Sequence, residues 1–197
     1  MMRKQEIKKC HKVLILLSLI GAAMIACSCA SSSKTPSVTF NHHQTLTSGS
    51  VVENDKKHFI VEQNLDSLDI SFLVSPHKMK QEDQTAVCVW VNEENHADAV
   101  VFKNSSATEY VIYRFVINGK SYPICSVFLG FPSKHKALLH IKRVDDDIVF
   151  YQPYDREVAR LGLSQLFNGI PIERNVRLIM YAIHAEDHQP FTVDFDY

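Results

Sequence analysis

The chain has 197 residues, 46% of them hydrophobic, with 21 basic and 22 acidic side chains and a net charge of −1 at pH 7. Residues 1–26 hold five of the bases and one acid, so 21 less five leaves 16 bases, 22 less one leaves 21 acids, and 27–197 carry −5. That balance, with no Lys/Arg cluster, excludes a nucleic-acid binder, which needs a basic patch, while the length suits one domain of ordinary size.

The N-terminus is basic, with Arg3, Lys4, Lys8, Lys9 and Lys12 against Glu6 alone. An apolar run follows from Val13 to Ala26. It is shorter than the roughly 20 residues that a helix needs to span a bilayer. A basic start, a short apolar core and small residues at its end predict a secretory signal over residues 1–26, helical while it lasts.

Met24-Ile25-Ala26-Cys27 closes that run. It resembles the lipobox of bacterial lipoproteins: two aliphatic or small residues, a small one, then the lipidated cysteine. Met24 stands where Leu is commoner, and Cys29 is a second candidate whose upstream residues fit worse. The resemblance implies cleavage before Cys27, diacylglycerol on its thiol and acylation (palmitate) of the new amino group. Two or more acyl chains anchor stably where one does not. Ser28, where an Asp would favour inner-membrane retention, leans the expected location towards the outer membrane. The protein would then face the periplasm or the cell surface of a bacterial envelope.

Residues 27–50 have few large apolar side chains, and the segment predicts a disordered tether. Residues 51–197 then read mainly as strands. Leu68–Phe72 alternates apolar and polar side chains. Ala86–Val91 is apolar on both faces and suits a central strand. Val100–Phe102 is a short third piece. Two apolar runs flank Asn118-Gly119, a tight hairpin turn, and Pro123 puts the returning strand at an edge or a bulge. Lys136–Val144 and Ile148–Tyr151 are strands joined by an acidic turn at Asp145–Asp147. Asp155–Phe167 predicts the one helix after the signal, capped by Asp155 and ended by Asn168-Gly169. Asn175–His184 and Pro190–Tyr197 predict a closing hairpin. About eight strands and one helix give the expected fold: an antiparallel β-sandwich, Ig-like, with an inserted α-helix.

Candidate chemistry is sparse. Cys88 and Cys125 both fall in strands of an exported domain, so they pair in a disulfide or remain two buried thiols. His184, Asp187 and His188 have weak metal-ligand spacing. They lack the Glu of a zinc-protease motif and sit where a strand leads into a turn, so surface or turn roles compete. Ser75-Pro76-His77-Lys78 matches the Ser-x-x-Lys of penicillin-binding enzymes, but Pro76 and the missing companion motifs count against a nucleophile. No Gly-x-Ser-x-Gly elbow and no phosphate-cradling loop occurs, and no cofactor is implied.

The segment from Tyr110 through Tyr113 to Asn118-Gly119-Lys120 resembles the hairpin of glycogen-binding (isoamylase N-terminal-like) sandwich modules. The resemblance covers about a dozen residues and implies glycan contact through Tyr110, Tyr113 and Tyr122. Ser121-Tyr122-Pro123 replaces the family's Asp-Pro, and a plain Asn-Gly hairpin explains the pattern too. Tyr151 and Tyr154, beside Phe150, are core aromatics or, if exposed, a partner anchor.

The sequence thus predicts a membrane-anchored envelope lipoprotein. Its sandwich is expected to be a non-catalytic docking or assembly module for another envelope protein, and not an enzyme. The alternative is a ligand-capturing lipoprotein for glycan or, second to it, a metal ion. A Ser–His contact or paired carboxylates in a deep pocket would revive an enzyme.

Overall fold

In the computed structural model, residues 38–50, 57–103, 109–128, 136–152 and 156–197 are described. The signal, Cys27, Cys29 and Tyr154 lie outside them. Among the described residues no helix is long and apolar enough to cross a membrane.

Alternating apolar side chains build the first sheet from β1 (His43–Thr47), β4 (Asp69–His77), β9 (Ala137–Val144), β10 (Asp147–Gln152), β11 (Arg156–Gly162) and β13 (Thr192–Asp196), in the order β1-β13-β4-β9-β10-β11. The second sheet holds β2 (Gly49–Ser50), β3 (Lys57–Asn64), β5 (Gln84–Trp90), β6 (His96–Lys103), β7 (Glu109–Ile117), β8 (Lys120–Phe128) and β12 (Asn175–His184). Its order is β2-β12-β5-β6-β7-β8, with β3 also on β12. Every pairing is antiparallel except β2 with β12.

The sheets bury their facing sides against each other. Phe72, Leu139, Ile141, Phe150 and Phe195 of the first meet Val87, Val89, Tyr113, Leu178 and Met180 of the second in one core. The mainly-β sandwich is therefore as expected. Sheets of six and seven strands exceed both the eight strands counted and the roughly seven to nine of an Ig-like sandwich.

The Asn118-Gly119 hairpin forms as read, with φ of 53° and 69° at its two turn residues. β5 is central, between β12 and β6. β8 is an edge strand, with a bulge opposite Tyr113/Arg114 beside Pro123. The Asp145–Asp146 turn joins β9 to β10, with Asp145 at φ 55°.

Three expectations need correction. Residues 43–50 are not tether, because β1 pairs with β13 and β2 with β12. Short polar strands can join a sheet when a neighbour supplies the hydrogen-bond ladder, and alternation within the strand is then a weak signal. The helix expected over Asp155–Phe167 shrinks to α1 (Leu163–Phe167). Residues 156–162 form β11 instead, burying Ala159 and Leu161 and exposing Arg160, which bonds Asp147 and Glu157. Apolar residues at 159, 161 and 163 fit a strand and those at 159, 163, 166 and 167 fit a helix, and the free edge of β10 decides between them. Finally, β12 and β13 are no hairpin, for they lie in different sheets.

The β1 edge carries a titrating ladder. His43 Nδ1 lies 2.7 Å from Asp196, His77 Nε2 lies 2.7 Å from Asp194, and the Thr45 hydroxyl donates to Asp194 at 2.7 Å. The bond to Asp196 holds the His43 pKa above its ordinary 6.5. The Thr45 hydroxyl, then His77, hold Asp194 below its ordinary 3.8. The His43 contribution is complete below about pH 6.5 and fades as pH rises through its raised native value. That of Asp194 is present above about pH 3.8 and fades as pH falls through its lowered one. β1 is therefore expected to be held most firmly between about pH 4 and 6.5. Hydrogen exchange of the 43–47 amides, corrected for intrinsic rates, should show protection falling from pH 6 to pH 8. Unchanged protection over that range would refute the ladder.

Candidate functional site

The sequence places an unusual set of side chains on the face of the seven-stranded sheet turned away from the core. Strand register fixes the layout, since paired residues share a face. Trp90 stands between Arg177 and His96; Cys88 between Ile179 and Asp98; Ala86 between Tyr181 and Val100; Gln84 between Ile183 and Phe102. β7 adds Arg114 beside Asp98 and Tyr110 beside Phe102. The floor of this face is made of small residues, Ala86, Cys88 and Val100. At one end Trp90 stacks on His96 with centroids 5.1 Å apart, and at the other Phe102 stacks on Tyr110 at 5.5 Å. Six residues of strand separate Trp90 from Gln84, about 20 Å.

At the centre sits a charge pair. Asp98 is 1% exposed, and Arg114 meets it with two bonds, Nε–Oδ1 at 3.0 Å and Nη2–Oδ2 at 2.5 Å. A carboxylate in an apolar strand requires such a partner, and a planar guanidinium supplies it in fork geometry. The pairing holds the Arg114 pKa above its ordinary value. Half-buried Tyr181 joins the cluster; burial, with the nearby Asp98 charge, keeps its hydroxyl protonated. Beside it opens a cavity of about 360 Å³, lined by Glu82, Gln84, Arg114, Tyr181, Ile183 and His184. A hollow of about 80 Å³ lies beside Trp90, between Phe167, Ile170 and Arg177.

The wall of the larger cavity is pinned from behind. Asp83, fully buried, accepts from Lys80 N at 2.7 Å and Ala185 N at 3.0 Å, and meets His188 Nδ1 at 2.7 Å. Ser48 accepts from Phe191 N at 2.9 Å and contacts His184 Nδ1 at 3.1 Å. These bonds hold the loop that carries the chain from β12 to the other sheet. The Ser48–His184 contact is buried and ties down backbone.

The residues singled out from sequence scatter. Tyr110 is on the outer face, but Tyr113 is fully buried against Phe150 on the core side, and Tyr122, 47% exposed, lies on edge strand β8. No shared groove of the three tyrosines exists, because odd spacing along a strand sends side chains to opposite faces. Tyr151 lies against His140 on the outer side of the six-stranded sheet. His184 and His188 point to different partners, Ser48 and Asp83, and Asp187 is exposed. Among the described residues no three metal-ligating side chains converge.

Cys88 and Cys125 form no disulfide. Cys88 faces outward in register with Asp98, whereas Cys125 faces the core, its thiol donating to Val158 O at 3.2 Å. Two strands lie between them, about 14 Å in all, where a disulfide needs Cα atoms within roughly 7 Å. Burial pushes the Cys125 thiol pKa up.

Sequence reasoning missed Asp98, Arg114 and Tyr181. A usable signal was present: single charges inside the apolar strands His96–Lys103 and Glu109–Ile117 each demand a partner of opposite sign.

The sequence matches no family model and no curated protein. Its fold has relatives among solved structures. The GH43 protein BlXynB of Bacillus licheniformis superposes with a TM-score of 0.59 at 9% identity, over 78% of this chain and 32% of that one. The xylan β-1,4-xylosidase of Bacillus halodurans C-125 gives 0.52 at 7% identity, over 72% and 32%. The Crh5 transglycosylase gives 0.51 at 10% identity, over 84% and 79%. The chain spans about a third of the length of the first two of these proteins.

These relatives overturn two expectations, that of a non-catalytic docking module and that of a protein that is not an enzyme. The sandwich is an architecture found in glycoside hydrolases and a transglycosylase. The missing motifs do not separate this chain from such proteins, since a site assembled from several strands leaves no contiguous pattern in sequence.

Proposed function

We propose that this chain is a lipid-anchored bacterial envelope protein whose sandwich engages glycan along the outer face of its seven-stranded sheet. The observation that carries the glycan reading is the build of that face: a floor of small residues between two aromatic stacks, with the Asp98–Arg114 pair at its centre. Sugar rings offer apolar C–H faces to aromatics and hydroxyls to fixed donors and acceptors, and a largely preformed cleft with few polar groups suits them. The solved relatives named for xylan and transglycosylation support the same reading. So does the hairpin's resemblance to glycogen-binding modules, through Tyr110 alone.

The test is titration of the full-length protein, in detergent, with a panel of plant, fungal and bacterial polysaccharides, read by the fluorescence of its single tryptophan. Saturable binding to at least one is expected. Trp90→Ala, followed by calorimetry, should weaken it about tenfold, near 1.4 kcal/mol. Absence of binding across the panel would remove the reading. Release of new reducing ends in the same samples would assign cleavage as well.

The anchor rests on residues 13–27. Cys27→Ala is expected to move the protein from the membrane pellet to the soluble fraction and to abolish the acyl mass increment. A Cys27→Ala protein that stays lipidated would place the anchor elsewhere.

A further inference from the structure

The cavity beside Tyr181 has a charge balance that bears on which glycan it can take. Among the described residues Arg114 is the one Lys or Arg in its lining, and both bonds to Asp98 commit that charge inward. Glu82 adds a carboxylate at the rim, and His184 is engaged by Ser48. Gln84 offers an amide that both donates and accepts and Glu82 an acceptor, while the Tyr181 hydroxyl is engaged by Arg114. An acid-bearing sugar entering here meets Glu82 with like charge and finds the Arg114 guanidinium already paired with Asp98. A sugar hydroxyl finds donors and acceptors of both kinds.

We infer that this cavity is a subsite for an uncharged sugar residue and discriminates against uronic or otherwise anionic ones. The inference rests on the glycan reading above and adds the ligand class. The cavity volume, about 360 Å³, lies at the small end of the roughly 300–1,000 Å³ of ligand pockets. It therefore accommodates a short piece of chain, and the outer face of the sheet continues from it towards Trp90.

The experiment compares the full-length protein's affinity for neutral xylo- and gluco-oligosaccharides with that for oligogalacturonate, at pH 7 and low salt. Neutral ligands are expected to bind at least about tenfold tighter, because like-charge juxtaposition is heavily penalised. Glu82→Gln, at an exposed turn position, should narrow that ratio by about fivefold. Oligogalacturonate bound as tightly as the neutral chains would overturn the inference and leave the glycan reading standing. A ratio unmoved by Glu82→Gln would overturn the assignment of selectivity to this cavity. Failure of every oligosaccharide to bind would instead remove the glycan reading beneath it.

Discussion

Replacing Arg114 with Ala is expected to destabilise the protein by about 3–5 kcal/mol, because Asp98 would remain as a buried charge without its partner. For a chain of this size that corresponds to a fall in Tm of roughly 10 °C. Asp98 is 1% exposed beneath the Arg114 side chain, which makes both of the charge-assisted bonds to its carboxylate. The expected loss is a property of the pair. Asp98→Val combined with Arg114→Leu removes both charges, and such replacements are often neutral or stabilising. Thermal unfolding of the single and double variants therefore separates two roles. If the pair serves binding, the double variant should recover most of the Tm and still lose affinity for glycan. An Arg114→Ala protein within 1 kcal/mol of wild type would show that Asp98 is not held as described.

The second large effect is expected at Asp83. This fully buried carboxylate gathers two backbone amides, Lys80 and Ala185, and the His188 ring. Asp83→Ala strands those donors, and at about 1–3 kcal/mol for each one left unsatisfied the loss should be about 3 kcal/mol or more. Its consequences should be local first. The Lys80 and Ala185 amides should lose hydrogen-exchange protection before those of β5 and β12, and glycan affinity should fall as the cavity wall loosens. Asp83→Asn keeps an acceptor and is expected to cost less. Asp187→Ala, on an exposed side chain of the same loop, should change stability by no more than about 0.5 kcal/mol. Equal effects at 83 and 187 would contradict the assigned anchor.

Only one of these two residues drew notice in sequence, and it was the wrong one. The His184/Asp187/His188 spacing catches the eye, whereas Asp83 sits in an unremarked polar turn. Its importance comes from partners 102 and 105 residues away. The same separation hides the candidate site. Trp90, Asp98, Arg114 and Tyr181 lie on four strands, and alternation along each strand says only which residues share a face. It does not say which face turns outward.

What the sequence determined by itself was local: the mainly-β class, the Asn118-Gly119 turn, the central place of the strand read over Ala86–Val91 and the edge place of Pro123. Each follows from φ/ψ preferences, a missing amide donor or a run apolar on both sides. The tertiary structure alone decided the rest. It made Arg156–Gly162 a strand because β10 offers an edge, drew His43–Ser50 into the sheets, sent β12 and β13 to different layers, and set Cys88 and Cys125 on opposite faces. For β1, β2, β12 and β13 the deciding hydrogen bonds come from residues distant in the chain, and no local pattern encodes a partner that far away, whereas β11 pairs with the strand just before it and only its apolar pattern was ambiguous.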